Sequence, residues 1–235
     1  GVWQAPDGNE TKQIEILEQK IKTWGSKVNE NHITKTQARM AVSLTIGKSI
    51  QYPLAATAID CKSCDRISKV LRHNGLGKVG VVRTMPIDVV LSPKELGGME
   101  LPFDVRNIQR NEHLKMLLKH GHSTSPTGKL LRASFESFAI EDSLKGDPLN
   151  WQEDVLQWVT PNTWVNGNIS ELREANITIR TNIPYLSTWT DNDEFIMEKA
   201  GKILNKKELT RFNRIRMFLQ VVTLSDLLDS SGRSI

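Results

Sequence analysis

Five apolar residues, Ile14, Leu17, Ile21, Trp24 and Val28, recur at intervals of 3, 4, 3 and 4. That interval pattern is one face of an α-helix. Glu15, Glu18, Lys22 and Lys27 lie off the stripe, with Glu18 and Lys22 in the favoured i,i+4 order. A one-faced helix gains stability only by burying that face against other apolar surface. The stripe therefore demands partner helices nearby, and the next residues provide two. The first helix is expected to end near Asn29–Asn31.

Thr34-Lys-Thr-Gln37 has the form of a capping box. The helix it opens carries Ala38, Met40, Ala41, Val42, Leu44, Ile46 and Ile50, apolar nearly all round, which predicts burial on several sides. Pro53 lacks a backbone donor, so a kink or break is expected there. Asp60 is placed to cap a third helix, with Asn74-Gly75 as its stop signal. Residues 9–75 thus read as a three-helix bundle. Residues 76–103 change character. Glycines and prolines surround short β-branched runs, Val79–Val82 and Val89–Leu91, which predicts an irregular connector with a small β element. Helical patterning returns over 104–235, with segments expected at 104–120, 127–143, 150–159 and 163–175. Trp151, Trp158 and Trp164 are expected to share a second core. Asp191–Glu194 and Asn205–Glu208 read as two further helix starts, and Phe212, Ile215, Leu219 and Val222 as the core face of the last helix. The fold class is mainly α: a three-helix bundle followed by a second helical domain with a small irregular β element.

The residues before the first helix carry another signal. Gly1-Val2-Trp3 reads as the last strand of a sheet whose other strands lie outside the chain, and Pro6-Asp7-Gly8 as the turn that leaves it. Residues 1–8 are assigned to that element.

Charge is unevenly spread. Residues 1–60 carry a net +1, residues 61–145 a net +5 and residues 146–235 a net −2. The basic middle points to an anionic partner, for which nucleic acid is the usual candidate. No run of 18 apolar residues is present, which excludes a membrane-spanning helix from the expectations. Two cysteines give no disulfide framework and point to an intracellular setting, nuclear or cytoplasmic.

Cys61 and Cys64 form a Cys-x-x-Cys pair, which can be half of a zinc site, with His113, His120 and His122 as candidate partners. The same cysteines continue through Ile67 and Leu71 as a helical stripe, and free cysteine packs as a small apolar side chain. The core reading is preferred and zinc is the alternative. Gly47-Lys48-Ser49 and Gly128-Lys129 lack the upstream glycine of a phosphate loop. No nucleophile–base arrangement and no carboxylate cluster for metal-dependent catalysis is legible. Tyr52 and the tryptophans could stack on bases, but at helical spacing they read as core. Lys62, Arg66, Lys69 and Arg72 recur at 4, 3 and 3 on the third helix, roughly opposite the cysteine stripe, and Lys78 and Arg83 follow in the glycine-rich connector. Such positions offer sequence-independent attraction to phosphate.

The order of these features resembles reverse transcriptases of non-LTR (LINE-like) retroelements, in the region following the palm. The similarity runs through Gly1-Val2-Trp3-x-x-Pro6-Asp7-Gly8, Trp24, the Thr34–Gln37 helix start and Ile50-x-Tyr52-Pro53-Leu54. It continues through Gly75-Leu76-Gly77-Lys78, Pro86, Val89-Val90, Pro93, Gly97-Gly98, Thr127-Gly128-Lys129-Leu130-Leu131 and the stretch Arg214 to Asp226. The resemblance implies a thumb that holds the template–primer duplex of an RNA-directed DNA polymerase. It places the Mg²⁺ ions on palm aspartates outside this chain, so the chain itself is expected to bind no cofactor and to be inactive alone. The implied duplex-gripping residues are Lys48, Lys62, Arg66, Lys69, Arg72, Lys78 and Arg83. The implied partners are an RNA–DNA or other template–primer duplex and the palm and fingers of the parent protein, with no membrane. A helical scaffold that binds protein rather than nucleic acid is the rival expectation.

Overall fold

The computed structural model describes residues 1–5, 7–143, 148–150, 164–179 and 193–228. The protein is mainly helical, and the described residues contain no strand. The chain divides into two compact units, residues 1–116 and 117–235.

In the first unit, α1 (Thr11–Glu30) buries Ile14, Leu17, Ile21, Trp24 and Val28, the stripe seen in the sequence. Thr34 opens α2 (Lys35–Met40) with the anticipated capping box: its side chain accepts from the Gln37 N–H, and Gln37 reaches back to the Thr34 N–H. The rod then continues through a π-helical segment (Ala41–Ile46) into α3 (Gly47–Leu54). Ala38, Val42, Ile46 and Ile50 are its buried face. A four-residue spacing drifts about 40° per step on an α-helix. The wider π turn takes up that drift and keeps the row on the core; its mark is the bond from the Gly47 N–H to the Val42 carbonyl, five residues back. The expectation of all-round burial fails, since Met40 and Leu44 lie on the solvent side. Pro53 stands in the last turn of α3, and the helix ends one residue later.

Asp60 caps α4 (Cys61–Gly75), accepting from the Ser63 N–H at 3.0 Å. Gly75 closes the helix without a left-handed turn. Its role is space: a Cβ there would lie 2.7 Å from the Phe103 ring. α1 and α4 pack together, and Cys64, Ile67 and Leu71 complete the core.

Residues 76–103 form no β element. Val89–Leu91 falls in the short helix α5 (Ile87–Leu91), and a 3₁₀ turn follows at Lys94–Leu96. β-branched residues favour strands only where a partner strand covers them. Here the returning segment bonds instead to the end of α5, from the Met99 N–H to the Val89 carbonyl and from the Leu101 N–H to the Val90 carbonyl. Val79, Val81, Val90, Leu101 and Phe103 join the core of the helices before them. Helix α6 (Val105–His120) is stitched on by polar bonds. Ser68 Oγ accepts from the Val105 N–H at 2.9 Å, and the Gln109 amide satisfies both backbone groups of Ile59, at 3.1 and 3.0 Å. At the other end of the unit, residues 1–5 pair with no strand; the Trp3 N–H donates to Gln13 Oε1 at 2.8 Å instead. The turn that follows closes through Asp7 and Gly8, with φ +73° at the glycine.

In the second unit, Ser125 caps α7 (Pro126–Asp142) by accepting from the Gly128 N–H. α8 (Trp164–Glu174), α9 (Ile196–Ala200) and α10 (Lys206–Phe218) follow, α10 with a full capping box at Asn205 and Glu208. Of the helix expected at 150–159, residues 151–159 lie outside the described residues, Trp151 and Trp158 among them, as do Asp191 and Ser230–Ile235. α10 is rotated from its expected orientation. Leu209, Asn213 and Arg216 face inward, while Ile215 and Leu219 are exposed. Arg216 is the reason. Its guanidinium donates to the carbonyls of Ile140 and Val221 at 3.2 Å and to that of Glu141, closing the C-terminal end of α7. Burial pushes this group down to about 10, against the pull of Asp142 and Glu141, so it stays charged at neutral pH. An isolated antiparallel bridge joins Phe195 and Thr223.

Candidate nucleic-acid interface

Helix α4 arranges the first group of cations. With Cys64, Ile67 and Leu71 held in the core, the 3.6-residue period turns Lys62, Arg66 and Lys69 to solvent, and all three are exposed; Arg72 is half-buried at the flank. Burial raises the Asp60 carboxyl. Hydrogen bonds from the Ser63 side chain and the backbone of Lys62 and Ser63, with Arg66 nearby, outweigh that and hold it below the usual carboxylate range. Arg66 Nε sits 2.6 Å from Glu18 Oε1. Its side chain is 60% exposed, whereas that of Glu18 is 20% exposed, so the pair leans on a carboxylate largely withdrawn from solvent.

The second group gathers at the turn after α4. Lys78 Nζ lies 3.4 Å from the Asn29 carbonyl in the last turn of α1, where the helix dipole favours a cation. Gly80 has φ +80°, and a Cβ on it would come within 2.6 Å of the Lys35 side chain. Arg39 Nε donates to the Val79 carbonyl at 3.4 Å. Helix α2 thus brings Lys35 and Arg39 to a turn that already carries Lys78, with exposed Arg83 three residues beyond Gly80. Sequence reasoning did not select Lys35 or Arg39. The signal for them was present: no Asp or Glu occurs between Asn31 and Ile59, while Lys35, Arg39 and Lys48 do.

Lys48 has a different neighbourhood. Its Nζ donates to Gln51 Oε1 at 2.9 Å, and Gln51 Nε2 donates to Glu112 Oε1 at 2.5 Å. Burial raises the Glu112 carboxyl, but bonds from Lys115 and Gln51 and the charges of Lys115 and Lys48 hold it low. These contacts tie Lys48 to α6 rather than to the α4 face. Tyr52 is 71% exposed, a correction to its assignment to the core, whereas Trp24 is buried as assigned.

Cys64 is fully buried and its Sγ lies 3.6 Å from the Ile59 carbonyl; Cys61 is half-buried. His113 Nε2 is 2.8 Å from the Thr57 carbonyl. Among the described residues, no group of three or more His, Cys, Asp or Glu is placed to hold a metal ion. Gly47-Lys48-Ser49 lies within α3, and Gly128-Lys129 lies in the first turn of α7. None of the described helices is long and apolar enough to cross a membrane.

No protein-family model, no curated protein and no solved structure matches this chain.

Proposed function

We propose that the first unit grips a nucleic-acid duplex, as the thumb-like part of an RNA-directed DNA polymerase of the non-LTR retroelement class. The observation that supports this most is the outward face of α4. Lys62, Arg66 and Lys69 stand on it together, away from the core, and the cationic turn at Lys78, Gly80 and Arg83 follows the same helix. Contacts of this type reach sugar and phosphate without reading bases, which suits a protein that holds any growing duplex. An RNA–DNA hybrid is the proposed ligand, recognised through groove shape and 2′-hydroxyls as well as charge. The proposal assigns no catalytic step and no metal to this chain; in the parent, polymerisation and its Mg²⁺ belong to the palm.

Fluorescence anisotropy of a labelled RNA–DNA hybrid at several salt concentrations tests the reading. Four or five phosphate contacts give a log–log salt slope of roughly −3 to −5. Lys62→Glu with Lys69→Glu is expected to weaken binding about tenfold or more and to flatten the slope by about 2. Absence of binding even at low salt overturns the proposal. That result would favour a protein-binding role instead, for which Phe218, 87% exposed, and Ile203, 83% exposed, offer apolar surface on the second unit.

A further inference from the structure

Helix α1 uses two of its sides for different purposes. Glu18 and Gly25 turn toward α4, where they meet Arg66 and Asn74. On another side, Lys12, Lys20 and Lys27 line one wall of a groove of about 750 Å³. The opposite wall is the π-helical segment and the start of α3, through Thr45 and Ser49. Ile16, Trp24 and Ile46 supply its apolar lining, and Gln19 and Thr23 add further polar side chains.

The charge balance of this groove is one-sided. All three lysines are exposed. Among the described residues, the single carboxylate lining it is Glu15, 3.5 Å from Lys12 in an exposed i,i+3 pair. The second wall belongs to the stretch from Asn31 to Ile59, which has no acidic residue. At 1.5 Å per residue, Lys12 to Lys20 is about 12 Å along the axis and Lys20 to Lys27 about 10 Å, about 22 Å in all, with Lys20 and Lys27 nearly in line and Lys12 about 80° around the helix from Lys20. That length faces about six phosphates of a stacked strand. Hydroxyl and amide groups suit phosphate and sugar oxygens, and an apolar lining suits sugar and base faces.

We infer that the groove between α1 and the α2–α3 rod is a second nucleic-acid site, one that takes a single strand. Lys12, Lys20 and Lys27 hold its phosphates. The site uses none of the α4 residues, so it stands or falls separately from the duplex grip.

The test uses the full chain and a labelled oligo(dT) of about twenty nucleotides beside the labelled RNA–DNA hybrid. Lys12→Glu, Lys20→Glu and Lys27→Glu together are expected to weaken oligo(dT) binding about tenfold or more. The log–log salt slope should become shallower by about 2, from three contacts at about 0.7 each. Hybrid affinity should change less than about twofold, because the duplex contacts lie elsewhere. Unchanged oligo(dT) affinity overturns the inference, as does an equal loss for hybrid and single strand. Displacement of oligo(dT) by polyglutamate at equal charge concentration also overturns it, in favour of an acidic polypeptide. A second measurement needs no variant. Oligo(dT) should protect Lys12, Lys20 and Lys27 of the unaltered chain from acylation, read by mass spectrometry, and leave Lys62 and Lys69 reactive. The reverse pattern, or no protection, overturns the inference.

Discussion

The basic residues of α4 in the first unit and Arg216 in the second are used in opposite ways. In the first, Lys62, Arg66 and Lys69 project from a helix whose other face is Cys64, Ile67 and Leu71, so the core is apolar and the cations face water. In the second, Arg216 is 3% exposed and spends its donors on backbone carbonyls. Asp142, Ser143, Asn168 and Asn213 are buried in that unit as well. A cation in water keeps its charge available for a ligand. A cation that closes a helix end has its charge committed to the fold. Counting basic residues along the chain does not separate the two roles; burial does.

The largest expected effect breaks the contrast at Arg216. Arg216→Met leaves the carbonyls of Ile140, Glu141 and Val221 without their donor, and should cost about 3 kcal/mol or more. Hydrogen exchange should show α7 amides losing protection while α1 and α4 keep theirs. Equal loss in both would mean that the units do not hold together independently. Next in size is Gly75→Ala, which drives a Cβ into the Phe103 ring. Overpacking outweighs the gain in helix propensity and leaves a net loss of about 1–2 kcal/mol, measurable by urea denaturation. Lys62→Glu with Lys69→Glu should barely change that denaturation midpoint, since surface substitutions stay within about 0.5 kcal/mol. Its effect belongs to hybrid binding, and a large stability loss would show that these lysines serve the fold after all.

The smallest effect sharpens the comparison on the acidic side. Burial raises the Glu10 carboxyl, against the hydrogen bond from the Ala58 N–H. With the folded-state pKa above the unfolded one, the buried charge costs stability at neutral pH. As pH falls through the raised value the folded state takes up the proton first, and the cost is lost progressively until pH drops below the unfolded-state pKa. Glu10→Gln should therefore be slightly more stable than the parent near pH 7, and the difference should shrink as pH falls through the raised value and be gone below the ordinary carboxylate pKa of the unfolded chain. Thermal melts across that window check it; a difference that grows on acidification contradicts the assignment.

Helix starts were the most legible part of this fold. Thr34 with Gln37, Asp60 with Ser63 and Asn205 with Glu208 each satisfy orphan N–H groups within three residues, so the local sequence alone determines them. The α1 stripe was legible for the same reason, since its period needs no distant partner to be read. The outward placement of Lys62, Arg66 and Lys69 followed from that period too. The connector was not legible, because Val89–Leu91 suits strand or helix until a neighbour decides. The inner face of α10 was not legible either. Ile215 and Leu219 look like core until Arg216 finds the end of α7 some 75 residues earlier in the chain. The grouping of Lys35 and Arg39 with Gly80 likewise spans 40 residues or more. By itself, then, the sequence determined the starts of α2, α4 and α10 and the buried sides of α1 and α4, because those are short-range matters of hydrogen bonding and period. Only the tertiary structure decided which charges are spent inside and which remain outside, because burial is conferred by residues far away along the chain.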